Sequence, residues 1–218
     1  MSELEAELRA RDAFLATVAQ KLQERVNALR LASPEATEAA LHDLEGFVAE
    51  LSLVAHPDAP ITLPEEETCL VDAVVAALPL ARLARAEVPV SVRREGTMRG
   101  RFSRHLFATI VGELLSNARK YSKGETIRLT LSATEGHATL VVENVGVPAT
   151  PPPAPARFRR GETDPKVEGY GVGAYLVRRI AEAHGGTSGL EIAQGRTRAF
   201  VRVPFTGPEG PRLEVQVG

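Results

Sequence analysis

Three glycines at alternate positions, Gly169, Gly171 and Gly173, stand directly ahead of an apolar-periodic stretch (Ala174, Leu176, Val177, Ile180, Ala181, Ala183) that stops at Gly185-Gly186. A glycine-rich loop feeding a helix N-terminus can hold a phosphate. Glycine lets the backbone approach an anion, free N–H groups point at it, and the helix dipole favours negative charge. The double glycine suits a helix C-cap. The spacing is GxGxG, not the GxGxxG of a dinucleotide fold, and the Lys-Ser/Thr of a P-loop is missing. Taken alone, the stretch also fits a plain turn ahead of a core helix.

Two further places carry chemistry-bearing residues. ELLSNARKYS ends an apolar helical pattern at 103–121. Asn117 offers a carbonyl oxygen to a hard cation such as Mg²⁺, Lys120 a point charge to a phosphate, and Tyr121 a ring that can stack on a base. The plain alternative is three surface residues at a helix end. Later, Glu143-Asn144-Val145-Gly146 closes a strand pattern, which is first of all a turn signal. Its functional reading is an amide that reads a base edge.

The elements that must position these groups can be traced along the chain. Residues 3–31 form one long helical pattern, with Leu4, Leu8, Leu15, Val18, Leu22, Val26 and Leu29 in a narrow seam. Ser33-Pro34-Glu35 opens a second helix, to about residue 55, with Leu41, Leu44, Val48, Leu51 and Val54 on one face. A helical hairpin this small cannot bury both stripes alone, so pairing with a second copy into a four-helix bundle is expected. The alternative is a hairpin packed on its own globular domain. His56-Pro57-Asp58-Ala59-Pro60 marks the boundary. The expected division is a hairpin domain at 1–58, a mixed domain at 59–206 and a loose Gly/Pro-rich tail at 207–218. The mixed domain reads as a helix at 69–86, a strand at 88–93 and the helix at 103–121. Strand patterns follow at 126–133, 138–143, 189–194 and 198–205. The six prolines of 148–168 make that segment a loop. The fold class is α+β, a sandwich of one helical and one sheet layer.

Composition narrows the partners. The net charge of −2 gives no reason to propose nucleic acid, and the short arginine clusters at 157–160 and 178–179 read as solvated faces. One cysteine, Cys69, excludes an intramolecular disulfide. No apolar run approaches the roughly 20 residues that span a bilayer, and the charged N-terminus has no secretory core. A cytoplasmic protein with no membrane contact is expected.

In order, ELLSNARKYS, VENVG, RFRRGE and GYGVGAYLVRRIAEAHGG resemble the ATP-binding domain of sensor histidine kinases, a Bergerat-type fold, over most of 66–205. The resemblance implies an α/β sandwich that binds ATP and Mg²⁺. Asn117 takes the magnesium position, Lys120 and Tyr121 the phosphate-contacting and adenine-stacking positions, and Asn144 and Gly146 the adenine-reading box. Phe158 takes the aromatic ahead of the lid, and Gly169, Gly171 and Gly173 the phosphate side. The chain departs from the pattern at Asn144, where the family has Asp, at Pro148, where it has a second glycine, and at Glu113, where it has Asn. Replacing Asp by Asn removes charge assistance from the adenine hydrogen bond.

The first helix also resembles the family. RDAFLATVAQKLQERV matches its phosphoacceptor segment, with Gln20 at the histidine position and Lys21 at the acidic neighbour. The downstream proline is absent. An amide nitrogen is delocalised into its carbonyl and cannot take a phosphoryl group as an imidazole does. Autophosphorylation by the usual route is therefore expected to be lost. The implied function is a dimeric histidine-kinase-like adaptor or regulator of two-component signalling, docking a response-regulator receiver or a partner kinase. Two alternatives are an active ATP-dependent kinase acting on a partner or another site, and a phosphotransfer protein using His42.

Overall fold

The computed structural model describes residues 3–74, 90–95, 98–122, 125–148, 172–205 and 212–217. Helices α1 (Glu3–Leu31) and α2 (Pro34–Ala55) form the expected hairpin. Pro34 opens α2, while the Ser33 side chain makes no cap bond; the backbone carbonyl of Ser33 instead accepts from the Thr37 N–H at 3.0 Å.

The rest is a helical layer on one face of a six-stranded sheet. Strand β1 (Thr68–Cys69) pairs with β3 (Arg99–Gly100), and helix α3 runs from residue 70 through the described residue 74. The remainder of the helix expected to residue 86 lies outside the described residues. Strand β2 (Val90–Glu95), helix α4 (Arg104–Tyr121), strands β4 (Ile127–Thr134) and β5 (His137–Val145), helix α5 (Gly173–Ala183), and strands β6 (Thr187–Ala193), β7 (Arg196–Pro204) and β8 (Arg212–Val217) follow. The sheet order is β6-β7-β5-β4-β2-β8, with only the β2–β4 pair parallel. This is the expected α+β sandwich.

The expectation of a loose tail is corrected by β8, which pairs antiparallel with β2. The glycines and prolines are concentrated at 207–211, just ahead of it. RLEVQV itself alternates, and register sets Val215 beside Val92 and Val217 beside Val90. A period of two is a strand signal whatever precedes it.

The core lies between layers. Inward residues of β4 (Ile127, Leu129, Leu131), β5 (Leu140, Val142) and β7 (Val201, Val203) are buried against Phe107, Ile110, Val111, Leu114 and Leu115 of α4 and Val177 and Ile180 of α5. On the opposite face, register places Arg128, Glu143, Arg198 and Glu191 in one row across β4, β5, β7 and β6. Glu143 pairs with Arg128 at 2.9 Å, Arg196 at 3.2 Å and Arg198 at 3.5 Å, and Arg198 reaches Glu191 at 3.5 Å. Alternating charges let this face meet water.

The hairpin is seated on the sandwich through α2. Phe47 and Val54 are buried, the His105 ring of α4 lies over Gly46, and Thr109 donates to Glu50 Oε1 at 2.9 Å. A different set of apolar residues remains exposed on the hairpin: Leu8, Leu15 and Leu22 at seven-residue steps on α1, and Leu41 and Val48 at the same step on α2.

Candidate functional site

Helix α4 carries most of the candidate residues. Ser103 caps it by accepting from the Leu106 N–H at 3.4 Å, and its apolar face is locked in the core. The polar residues Glu113, Asn117, Lys120 and Tyr121 follow one another at helical spacing towards its C-terminus. Asn117 and Tyr121 are half-buried and Lys120 is exposed.

The adenine-reading candidates meet the end of this helix. Gly146 has φ +123°, and a Cβ there would overlap the carbonyl oxygen of Tyr121. The turn after β5 can approach α4 only because that residue is glycine. Asn144 is the last member of the inward stripe Ala138, Leu140, Val142 of β5, and it is 2% exposed. Its Nδ2 donates to Gly146 O at 3.3 Å, which leaves Oδ1 as the accepting atom of the amide. Thr197 of β7 stands opposite Asn144 in register, is equally buried, and donates its hydroxyl to the same carbonyl at 2.8 Å. Gly146 N–H donates to Gly195 O at 2.9 Å. The turn is thus held from three sides. Thr197 was not among the residues expected at the site; the one available signal is that the β7 stripe, like that of β5, ends in a polar residue at the same end of the sheet.

The phosphate-side candidates meet α4 about two helical turns earlier. Helix α5 starts at Gly173 with no side-chain cap at Val172. A Cβ on Gly173 would overlap the Glu113 carboxylate. Burial first, and then the Glu50 carboxylate, raise the proton affinity of Glu113 above its ordinary value, while Lys120 and Lys21 oppose the shift. Glu113 entered only as a departure from the family pattern; the structure places it against the start of α5. Tyr175, Leu176, Val177, Ile180 and Ala181 form the buried face of α5, with Tyr175 taking the place expected for Ala174. The helix closes at Gly185-Gly186, whose N–H groups donate to Glu182 O and Ala181 O, each at 2.9 Å. His184 packs against both Phe102 and Phe107, which also meet each other edge to face, and its Nδ1 donates to Ile180 O at 2.7 Å. Burial lowers its pKa below the ordinary value.

Gly169, Gly171 and Phe158 lie outside the described residues, as do the side chains of His42 and Asp43. Gln20 is exposed on α1, where its Nε2 donates to Glu24 Oε1 at 2.9 Å. Among the described residues no group of three or more His, Cys, Asp or Glu side chains could hold a metal unaided, and no helix is long and apolar enough to cross a membrane.

Comparison with known proteins agrees with this geometry. The model of the family described as histidine kinase-, DNA gyrase B-, and HSP90-like ATPase matches residues 103–207. The sensor protein kinase CarS of Pseudomonas aeruginosa is 38% identical over 98 residues, covering 44% of this chain and 22% of that protein. The sensor histidine kinase CusS of Escherichia coli K12 is 35% identical over 100 residues, covering 43% and 21%. The matched stretch thus makes up about a fifth of each of these relatives. Among solved structures, the mycobacterial sensor histidine kinase MprB superposes with TM-score 0.56 at 22% identity, over 67% of this chain and 99% of that one. Full-length ShkA in complex with AMPPNP superposes with TM-score 0.57 at 18% identity, over 97% and 48%. Residues 103–207 match the model of the histidine kinase-, DNA gyrase B-, and HSP90-like ATPase family, and the architecture is that of a histidine kinase core with a Bergerat-type ATPase domain.

Proposed function

We propose that this chain is a histidine-kinase-like regulator in cytoplasmic two-component signalling that binds ATP but does not phosphorylate itself by the usual route. The observation that carries the reading is the convergence on α4: the Asn144–Gly146 turn abuts Tyr121 and the start of α5 abuts Glu113, with Asn117 between them. In this reading Tyr121 stacks on adenine, Asn144 Oδ1 accepts from its amino group, and Lys120 with the first N–H groups of α5 and the loop glycines Gly169, Gly171 and Gly173 faces the phosphates. Asn117 holds Mg²⁺. With no protein-only cage among the described residues, the ion draws its other oxygens from phosphate and water, which suits a hard octahedral cation. When bound, Mg-ATP supplies the activated phosphoryl group. Gln20 and Lys21 cannot accept it or assist its acceptance, for the chemical reasons of an amide and a cation.

The exposed heptad-spaced leucines of α1 and the exposed Leu41 and Val48 of α2 support a homodimer through the hairpin. That bundle would be the docking surface for a response-regulator receiver or a partner kinase. The test is incubation with radiolabelled ATP, alone and with candidate receivers. The proposal expects no label on this chain; a label abolished by Asn117→Ala would overturn it.

One observation favours the enzyme-class alternative, a kinase acting on a partner. Glu113 is a half-buried carboxyl with raised proton affinity one helical turn from Asn117, a place from which it could take a proton from an incoming hydroxyl. In that case label appears on the partner and Glu113→Gln lowers its rate by about 100-fold or more.

A further inference from the structure

The segment joining hairpin to sandwich, His56-Pro57-Asp58-Ala59-Pro60, reads as an ordinary proline-bounded connector, and Arg178-Arg179 as a solvated pair. The structure treats the two arginines differently. Arg178 pairs with Glu182 at 3.8 Å on the helix surface. The Arg179 guanidinium instead turns into the connector. Its Nη1 donates to His56 O at 3.3 Å, to Pro57 O and to the Tyr175 hydroxyl at 3.2 Å, and its Nη2 donates to Ala59 O at 2.7 Å. Three carbonyls within four residues of chain point at one cation, and the connector is folded to do so, with Ala59 N–H donating to His56 O at 3.2 Å.

We propose that Arg179 is a clasp through which α5 sets the pose of the helical hairpin. Within the connector itself Pro57 and Pro60 supply no N–H, and the one backbone turn closed by Ala59 has several exits. The first of the three carbonyls belongs to His56, the C-cap residue of α2, so the clasp holds the connector from the end of that helix onward. A guanidinium suits the task because its planar fork presents several donors at fixed angles, whereas an ammonium is a single point charge. Arg179 stands six residues after Gly173 on the same helix, about 9 Å along its axis. The clasp and the phosphate-side end of the site are therefore two stations on one rigid rod. A shift of α5 is passed to the connector and from there to α2, whose Gly46 and Glu50 meet His105 and Thr109.

Amide hydrogen exchange tests this in the whole chain. In Arg179→Ala, exchange at Ala59 and across Phe47–Val54 of α2 should rise by at least about 10-fold while the β5 amides keep their wild-type protection. Arg178→Ala, on the same helix but outside the clasp, should leave both unchanged. Should Arg179→Ala also lose β5 protection, Arg179→Lys decides, since it keeps the charge and stem but cannot reach all three carbonyls; the same confined rise is expected there. Wild-type exchange at Ala59 and α2 in a variant whose β5 remains protected would overturn the proposal.

Discussion

Gly146 and His184 are the residues at which local geometry makes the firmest demands. Gly146→Ala asks a side chain to adopt a left-handed backbone and to occupy the place of the Tyr121 carbonyl. It should cost about 3 kcal/mol, which for a chain of this size is about 6–12 °C of melting temperature. A melting temperature within two degrees of wild type would show that the turn does not press on α4. His184 predicts a pH dependence. Its folded pKa is depressed by burial, so the unfolded chain takes up the proton first. The stability this contributes is complete above the ordinary histidine value of about 6.5 and is lost as pH falls from there towards the folded value. Glu113 acts with the opposite sign: its folded pKa is raised, so its contribution declines as pH rises through about 4.5 towards its folded value. Comparing wild type with His184→Gln isolates the first effect. Between pH 6.5 and 5.5 the wild type should lose melting temperature more steeply than the variant, and equal slopes would remove the assignment.

At the scale of elements, the ion row on the open sheet face offers a test of how register is held. Glu143 serves three arginines while only partly exposed, and those arginines are about half exposed. Glu143→Gln should therefore cost about 1 kcal/mol at low ionic strength, with the difference shrinking in 1 M salt. A loss that salt leaves unchanged would mean that packing, not charge, holds the row. Periodicity made most elements legible in advance. The α4 face Leu106, Phe107, Ile110, Val111, Leu114 and Leu115 is buried as its spacing implies, and the strands at β4 to β7 fall within a few residues of their patterns. Strand β8 was hidden because the glycines and prolines of 207–211 dominate the composition of the tail, although its own alternation is regular. Candidate site residues could be named where a single element carries the pattern, as with Asn117, Lys120 and Tyr121. Thr197 was not, because only strand register brings it opposite Asn144 from 53 positions away. Glu113 and Arg179 escaped for a related reason: each looks like an ordinary helical charge until a neighbouring element, the start of α5 for one and the connector for the other, closes over it.

For the whole molecule, the hairpin presents two apolar faces with different fates. One, carrying Leu53 against the core beside Gly46 and Glu50, meets the sandwich; the other, carrying Leu8, Leu15, Leu22, Leu41 and Val48, remains exposed. The docked hairpin and the dimer are thus compatible, since they use different residues. Sedimentation at micromolar concentration should find a dimer for the wild type and a monomer for Leu15→Glu combined with Leu22→Glu, with stability of the sandwich changed by no more than about 0.5 kcal/mol. An identical sedimentation profile for both would put the dimer seam elsewhere. The central claim, however, concerns the pocket: the residues around α4 form a working nucleotide site even though the acceptor position holds Gln20. The most direct measurement is a calorimetric titration of Mg-ATP into the wild-type chain and into Asn117→Ala. Saturable heat from the wild type, reduced at least about tenfold in affinity by the substitution and partly restored to ATP without magnesium, is the predicted result. Identical titrations from the two proteins, or no saturable heat from the folded wild type, would contradict it.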